Sequence, residues 1–224
     1  MKHYDTIPRV QDDDTLKDKM VWGFNKLDGQ NFCVVYNPET CEFGPYGSQN
    51  AMVDERTKGF RDIIRFFRNS QYMDILNRIV KEHRNKGDVF HGIKEITFFF
   101  EWYGENSFAG RHKRGDEMHL ALIDVFLKRK GYMKPEDYYR LFKDSGIELP
   151  ELIYTGVLTS DIIEKIRNND WTMENSEFPS VKEGVIFKCS EILKGQRRPQ
   201  VKVKTKWWLN KTQKSSRLPE NIKN

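Results

Sequence analysis

Residues 20–37 read MVWGFNKLDGQNFCVVYN and contain two runs of apolar, β-branched and aromatic residues. The runs meet at Lys26-Leu27-Asp28-Gly29, and an Asp-Gly pair between such runs predicts a strand, a tight turn and a second strand. A lysine at the lip of this turn can act as a nucleophile once its amine is deprotonated. Because Lys-x-Asp-Gly arises by chance in on the order of one chain in twenty, the pattern needs support from the rest of the sequence.

The remaining sequence predicts a mixture of strands and helices. Apolar residues recur three and four positions apart between residues 54 and 86, which indicates one long helix or two helices broken near Asn69-Ser70. A loop is predicted at residues 41–51, helices at 135–146 and 161–170, and strands at 93–104, 119–132, 152–158, 181–189 and 199–209. Because the strands outnumber the helices and do not alternate with them, we expect an α+β fold with antiparallel sheets.

The composition is that of a globular protein with one substantial core. The 224 residues are 38% hydrophobic and 32% charged. No apolar run is long enough to span a bilayer and the first residues lack the apolar stretch of a signal peptide, so a cytoplasmic location is expected. The three cysteines have no CxxC spacing and the five histidines are scattered, so we expect neither a disulfide framework nor a transition-metal centre.

The positive charge is concentrated at the C-terminal end. Residues 194–224 contain ten Lys or Arg and one acidic residue, whereas residues 1–193 carry a net charge of −4. A one-sided basic segment is typical of proteins that bind a polyanion such as nucleic acid. A solvated, lysine-rich terminus is the alternative.

A second group of charged residues lies far along the chain from Lys26. Glu183 begins the run EGVIFK, and Lys202 and Lys204 occupy alternate positions of a predicted strand. Residues two apart in a strand project from the same face, so the two ammonium groups repel each other unless an anion lies between them. The pair therefore indicates a phosphate site, and the alternative is an exposed edge strand protected by lysines.

Taken in order, these segments resemble the covalent nucleotidyltransferase superfamily of ATP-dependent RNA and DNA ligases and mRNA capping enzymes. KLDG at 26–29 matches motif I, FFFEWYG at 98–104 matches motif III, EGVIFK at 183–188 matches motif IV and VKVK at 201–204 matches motif V. The run EWYGENSFAG at 101–110 is most similar to the small phage-type RNA ligases. The resemblance implies a ligase adenylation domain, with two antiparallel sheets flanked by helices around an ATP cleft.

The resemblance also implies a role for each matching residue. Lys26 matches the lysine that attacks the α-phosphate of ATP and becomes covalently bound to AMP. Glu101 matches the residue that hydrogen-bonds the ribose, and Glu183 matches the carboxylate that helps to hold Mg²⁺ or Mn²⁺. Lys202 and Lys204 match the pair that contacts the α-phosphate.

The chain departs from the family pattern at two places. The family usually has an arginine in the loop after motif I, where this chain offers only Gln49 or, further on, Arg56. In the strand HLALIDV, which resembles motif IIIa, the family often places an aromatic residue against the adenine, and this chain has Leu120. These departures predict a weaker phosphate contact and a looser nucleotide pocket.

Residues 1–209 are expected to form the adenylation domain and residues 210–224 a basic polar tail, with neither an OB-fold nor a helical C-terminal domain. The nucleic acid must then be gripped by the catalytic face, by the tail, by an accessory protein, or by the basic loop Arg111-His112-Lys113-Arg114, which is otherwise a solvated turn. The pair Trp207-Trp208 is either part of the core or a platform on which bases stack.

The sequence thus predicts an ATP-dependent RNA ligase that joins 3′-hydroxyl and 5′-phosphate ends in RNA repair. A minimal ligase that seals nicked DNA is the alternative with the same chemistry, and a capping enzyme fits less well. A protein that binds nucleic acid without catalysis is the alternative of a different class, and the intact set of Lys26, Glu101, Glu183, Lys202 and Lys204 argues against it.

Overall fold

The computed structural model describes residues 1–191 and 197–216. The chain divides into two compact units, each assembled from separate stretches of sequence. Unit 1 comprises Met1–Thr6, Gly29–Pro150 and Ser190–Arg198, and unit 2 comprises Ile7–Asp28, Glu151–Cys189 and the chain from Pro199 onward. The predicted basic tail lies partly outside the described residues, because residues 217–224 are not among them.

The described residues form ten strands and five helices, which confirms the α+β class. The strands are β1 (Met20–Asn25), β2 (Gly29–Asn37), β3 (Glu42–Gly47), β4 (Met52–Val53), β5 (Ile96–Gly104), β6 (Met118–Leu127), β7 (Gly131–Tyr132), β8 (Leu152–Val157), β9 (Gly184–Cys189) and β10 (Gln200–Lys204); the helices are α1 (Arg61–Asn69), α2 (Tyr72–Glu82), α3 (Pro135–Phe142), α4 (Ser160–Asn168) and α5 (Lys206–Ser216). Within residues 1–191 and 197–216, no helix has the length and apolar character needed to cross a bilayer.

Unit 1 is built on a six-stranded antiparallel sheet in the order β4-β3-β2-β5-β6-β7. The central strand β5 contains Phe98, Phe99 and Phe100, all with no exposed surface, so both faces of the sheet are covered at this point. Phe67 of α1 packs on one face, with its ring centroid 5.6 Å from that of Phe100 and 6.0 Å from that of Phe32. The continuous apolar run at residues 96–100 therefore forms the buried strand that its composition predicts.

The helical pattern of residues 54–86 is divided into α1 and α2, and the break lies at the predicted position. Ser70 has an extended backbone, and its hydroxyl donates to the carbonyl of Phe67 at 2.9 Å. This bond satisfies a carbonyl that the interrupted helix leaves without an amide partner. Each helix buries one apolar stripe, formed by Ile63, Ile64 and Phe67 in α1 and by Leu76, Ile79 and Val80 in α2.

Unit 2 is built on a four-stranded antiparallel sheet in the order β10-β9-β1-β8. Its apolar core joins Val21 of β1, Phe187 of β9 and Val203 of β10 to Ile162 and Ile166 of α4. Thr159 caps α4, since its side chain accepts a hydrogen bond from the backbone N–H of Ile162. The sheet thus pairs the segments that carry motifs I, IV and V.

Three local predictions were wrong. Residues 26–28 form no tight turn, and β1 and β2 belong to different sheets because each pairs with strands from elsewhere in the chain. The segment predicted as a loop contains strand β3, which pairs with β2 although Gly44 and Pro45 interrupt its sequence pattern. The strand predicted over residues 199–209 ends at Lys204, and Trp207 and Trp208 belong to helix α5. Thr205 causes this change, because its hydroxyl accepts a hydrogen bond from the N–H of Trp208 at 3.1 Å and so caps the helix. The predicted domain boundary at residues 209–210 falls inside α5.

A buried ion pair closes unit 1. Arg198 and Asp124 have side chains that are 0% and 1% exposed, and they form an ion pair. Arg198 also donates to the carbonyl of Met133 at 2.7 Å, and the hydroxyl of Tyr4 donates to Asp124 at 3.1 Å. Burial, and then the charge of Asp124, raise the pKa of the Tyr4 hydroxyl well above its usual value, so Tyr4 stays a neutral donor. The pair thus ties the end of the stretch 190–198 to β6.

We predict that Asp124→Asn lowers the free energy of unfolding by about 3–5 kcal/mol, because it leaves the guanidinium of Arg198 buried without a counter-charge. Urea unfolding followed by far-ultraviolet circular dichroism measures the loss. The matched control is Lys128→Gln, which breaks the exposed Lys128–Glu95 pair (2.7 Å) and is expected to cost less than about 1 kcal/mol. Equal losses in the two variants would contradict the assignment of Asp124 as a structural anchor.

Candidate active site

The predicted nucleophile lies where three strands of unit 2 meet at one end of the sheet. Lys26 directly follows β1, and its backbone N–H donates to the carbonyl of Gly184 at 2.9 Å. On the other side of β9, Lys204 is paired in register with the same glycine. Glu183 immediately precedes that glycine, so the backbone alone brings motifs I, IV and V together.

The start of β9 requires a glycine. A Cβ on Gly184 would lie 2.0 Å from the carbonyl oxygen of Val203, and the backbone φ of +156° is one that other residues rarely adopt. Any side chain at this position would therefore push β10 away from β9, and Lys204 would move with it. The Glu-Gly sequence of motif IV thus has a physical reason in this fold.

The carboxylate of Glu183 is shared between two lysines. Its Oε1 atom lies 2.9 Å from Nζ of Lys26 and 2.7 Å from Nζ of Lys204. The Glu183 side chain is only 4% exposed, whereas the two lysine side chains are 21% and 22% exposed. A carboxylate this deeply buried must be paired, and the more accessible ammonium groups are those that a ligand can meet.

Two further cations, Lys202 and Arg9, lie near this cluster of charges. The N–H of Lys202 donates to the carbonyl of Pro8 at 2.9 Å, and the N–H of Val10 donates to the carbonyl of Lys202 at 3.1 Å. The segment 8–10 therefore pairs with β10 and places Arg9 beside Lys202. Burial lowers the pKa of Lys202, and the charges of Lys204, Lys26 and Arg9 lower it further, against the opposing effect of Glu183. The strand is therefore not simply a lysine-protected edge.

Four cations around one carboxylate leave an excess of positive charge, which an anion such as a phosphate group would compensate. The same site fits a divalent metal ion. Both lysines bond Oε1 of the Glu183 carboxylate. A carboxylate beside a phosphate site suits Mg²⁺ or Mn²⁺, which take oxygen ligands and keep several waters or phosphate oxygens.

Glu101 belongs to unit 1, whereas Lys26, Glu183, Lys202 and Lys204 belong to unit 2. Glu101 lies on β5, paired in register with Asn31 of β2 and Ala121 of β6. The Oδ1 atom of Asn31 is buried and has no hydrogen-bond partner among the described residues, although its amide nitrogen donates to the carbonyl of Phe100 at 3.4 Å. An acceptor of this kind beside Glu101 suits a hydroxyl-bearing ligand.

An ordered polar group lies further along the same strands. Tyr103 stacks on the ring of His119, with centroids 5.2 Å apart. Glu148 accepts a hydrogen bond from the hydroxyl of Tyr103 and lies 3.2 Å from Nδ1 of His119. Burial, with the hydrogen bond to Glu148, raises the pKa of Tyr103, so its hydroxyl remains a donor.

Leu120 does not occupy the position expected for a residue that contacts the adenine. It has no exposed surface and is paired in register with Trp102, which is 7% exposed. Because successive residues of a strand point to opposite faces, its neighbours His119 and Ala121 lie on the face that carries Glu101. The side chains of β6 on the face of Glu101 are therefore those of His119 and Ala121, and Leu120 is a core residue.

The basic loop predicted to meet nucleic acid lies between β5 and β6. Arg111, Lys113 and Arg114 are exposed, whereas both ring nitrogens of His112 are buried and have no hydrogen-bond partner among the described residues. Burial lowers the pKa of His112 and so keeps it neutral. Asp116 fixes the loop by accepting from the N–H of Asn106 at 3.1 Å and of Lys113 at 3.2 Å. The two residues weighed for motif Ia, Gln49 and Arg56, are both exposed.

Two groups of residues were missed by sequence reasoning. Arg9 has no motif around it, and only its pairing with β10 places it beside Lys202. Glu105, Glu117 and His119 have potential ligand atoms within 4.8 Å of one another, but no regular spacing in the sequence indicates this grouping.

Comparison with known proteins agrees with this fold. The family model described as RNA ligase matches residues 19–204. Structures of Naegleria gruberi RNA ligase mutants are similar to the chain: an apo form (TM-score 0.64, 16% identity, 96% of this chain covered), a form with AMP and Mn (0.63, 17%, 94%) and a form with ATP and Mn (0.62, 16%, 94%). The match covers 58% of each Naegleria chain, so this chain spans less than two thirds of their length.

No curated protein sequence matches the chain. The family match includes the whole of motifs I to V, and the structural similarity extends over both units. The chain therefore belongs to the RNA ligase family.

Proposed function

We propose that the chain is an ATP-dependent RNA ligase whose first step attaches AMP to Lys26. The observation that carries this proposal is the shared Oε1 atom of Glu183, which holds Lys26 and Lys204 at 2.9 and 2.7 Å. A lysine nucleophile, a potential metal ligand and a phosphate-binding cation thus occupy one end of one sheet. The family to which the chain belongs supports RNA as the polynucleotide.

In the first step, the neutral amine of Lys26 attacks the α-phosphorus of ATP. A nitrogen–phosphorus bond forms while the bond from that phosphorus to the bridging oxygen breaks, pyrophosphate leaves, and a proton passes from the nitrogen to solvent. Lys26 must first leave Glu183, and Lys204 remains to pair with that carboxylate. Lys202 and Lys204 stabilise the charge that develops on the α-phosphate oxygens, which is where preorganised cations contribute most.

Glu183 is the residue that would hold a divalent metal ion. When bound, the ion supplies positive charge to phosphate oxygens. The Naegleria ligase forms with ATP and Mn and with AMP and Mn support a nucleotide and a divalent ion as ligands of this fold. In unit 1, Glu101 and the buried oxygen of Asn31 are the groups that we assign to the ribose hydroxyls.

The later steps follow from the chemistry of the lysyl-AMP. The 5′-phosphate of an RNA end attacks the AMP phosphorus and breaks the bond to Lys26, and the 3′-hydroxyl of a second end then attacks the activated 5′-phosphate and expels AMP. Sealing of nicked DNA by the same steps is the second candidate. We also propose that an accessory protein assists in gripping the RNA ends.

We predict that Lys26→Ala and Lys26→Arg both abolish covalent labelling by α-³²P-ATP with Mg²⁺, measured after denaturing electrophoresis. Arginine retains the cation beside Glu183 but is not a nucleophile at neutral pH, so its failure separates loss of the amine from loss of the ion pair. Lys81→Ala, at an exposed position of α2, is the control that should keep the label. Labelling of either Lys26 variant would place the nucleophile elsewhere.

We predict that Glu183→Gln and Lys204→Ala each slow single-turnover adenylation by on the order of 10²-fold, the usual effect of removing one preorganised electrostatic group. A titration with Mn²⁺ separates their roles. Glu183→Gln should need a higher metal concentration for half-maximal rate because it removes the carboxylate charge. Lys204→Ala should not need more metal than the parent protein, because it keeps that carboxylate and removes a cation that competes for it. Near-normal rates in both variants would remove this end of the sheet from the mechanism.

A further inference from the structure

Unit 2 carries a second basic and aromatic surface that the adenylation site does not use. A groove of about 480 Å³ lies between the end of α4 and the first turns of α5, and its lining includes Asn168, Asp170, Lys206, Trp207 and Lys211. We name it the tryptophan groove. Trp171, which follows Asp170 in the chain, packs edge-to-face on Trp207 with centroids 5.4 Å apart.

Each indole of this pair has a lysine over its ring. Nζ of Lys182 lies 4.8 Å from the centroid of Trp171, and Nζ of Lys211 lies 4.5 Å from that of Trp207. Both lysines are exposed, and both tryptophans are only half-buried. An exposed ammonium group thus covers one face of each indole, and it places a positive charge where the backbone of a stacked nucleotide would lie.

The groove is rigidly supported on its α4 side. Asn169 is 7% exposed, and its amide nitrogen donates to the carbonyls of Phe178 (3.0 Å) and Val181 (3.1 Å), while its oxygen accepts from the hydroxyl of Ser176 (2.9 Å). These bonds fix the loop after α4 that carries Trp171. A stacking surface on a fixed loop loses little conformational entropy when a ligand binds.

The groove is rigidly supported on its α5 side as well. Thr205 is fully buried, and its hydroxyl donates to the carbonyl of Lys182 at 2.8 Å while capping α5. Trp208 is 4% exposed and belongs to the core, whereas Trp207 faces the groove. Of the two residues, Trp208 is thus part of the core, and Trp207 is the candidate surface for base stacking.

The chemistry of the groove favours a single-stranded polynucleotide. Lys182, Lys206 and Lys211 are exposed cations, whereas the one acidic lining residue, Asp170, already accepts hydrogen bonds from the N–H and the hydroxyl of Thr172. Stacking of a base on an indole is stronger than the attraction of an exposed ammonium for the same ring, so a base can displace the lysine, which then pairs with a phosphate. Aromatic faces beside cations are how proteins bind strands without sequence preference.

We propose that the tryptophan groove binds a single-stranded segment of the RNA substrate, with a base on Trp207 and backbone phosphates at Lys182 and Lys211. The inference rests on the proposed function for the identity of the strand. Helix α5 begins two residues after Lys204, so the helix that lines the groove follows directly in the chain from the strand that carries the lysines assigned to phosphate. The tryptophan groove thus provides a surface for RNA binding within residues 168–211.

The test compares three variants of the full chain with the parent protein. Lys182→Ala/Lys211→Ala removes the cations, Trp207→Ala removes the stacking face, and Lys81→Ala/Lys86→Ala is the control that removes two exposed lysines from unit 1. Affinity for a fluorescein-labelled single-stranded RNA is measured by anisotropy across a salt series. Adenylation by α-³²P-ATP is measured separately without RNA, and thermal unfolding checks that each variant is folded.

We expect the Lys182/Lys211 variant to bind RNA on the order of tenfold more weakly, and its plot of log affinity against log salt to be shallower by about 1.4, because each phosphate contact on a single strand contributes about 0.7. Trp207→Ala should weaken binding on the order of tenfold with an unchanged slope. If Trp207→Ala unfolds, Trp207→Phe and quenching of tryptophan fluorescence by RNA replace it. Adenylation should match the parent throughout.

RNA affinity and slope equal to those of the control variant would overturn the proposal. Preferential binding of a polyglutamate peptide over RNA, lost in the lysine variant, would also overturn it by making the groove a site for acidic protein. If the parent protein binds RNA and the groove variants lose this binding, but none of the proteins is labelled by ATP, the groove is supported and the proposed ligase activity is contradicted. The two hypotheses can therefore fail separately.

Discussion

The constraint on which unit 2 depends is that Glu183 is buried and must be paired. Its Oε1 atom takes a lysine from motif I and a lysine from motif V, so the two ammonium groups that would otherwise repel each other are held on either side of β9. The pairing of β1 and β10 with β9 makes this possible, and the pairing in turn requires the bare backbone of Gly184. The order of the strands, the glycine at position 184 and the pairing of the Glu183 carboxylate therefore depend on one another.

This arrangement also explains how the site can be both stable and reactive. In the described state Lys26 is an ion-pair partner, and its side chain is still one-fifth exposed. In the mechanism that we propose, Lys26 leaves to attack a phosphate while Glu183 keeps Lys204, so the buried carboxylate retains a counter-charge. The added cations Lys202 and Arg9 bias the site towards an anion; burial lowers the pKa of Lys202, and the charges of Lys204, Lys26 and Arg9 lower it further.

The sequence was informative where one short motif determines a local structure. The run of phenylalanines located β5, because hydrophobic periodicity acts over a few residues. The sequence was uninformative where long-range pairing decides. The Asp-Gly pair predicts a tight turn between β1 and β2, but β1 pairs with β8 and β9 while β2 pairs with β3 and β5, so these neighbouring strands do not form a hairpin. Arg9 reaches the site only through a bridge to β10, and Leu120 turns inward because the register with Trp102 sets its face. Helix α5 was missed because a single cap, Thr205, overrides the strand pattern before it.

The basic C-terminal segment shows why a charge count does not by itself locate a binding surface. Arg198 is wholly buried against Asp124 and stabilises unit 1, Lys202 and Lys204 surround Glu183, and Lys211 lies over an indole ring. These residues are close in sequence but differ in burial and in partner. The positive charge is structural in Arg198, whereas we propose a chemical role for Lys202 and Lys204 and an RNA-binding role for Lys211. Only those cations whose charge no neighbouring carboxylate compensates remain to attract a phosphate backbone, and the fold, by distributing the carboxylates, decides which they are.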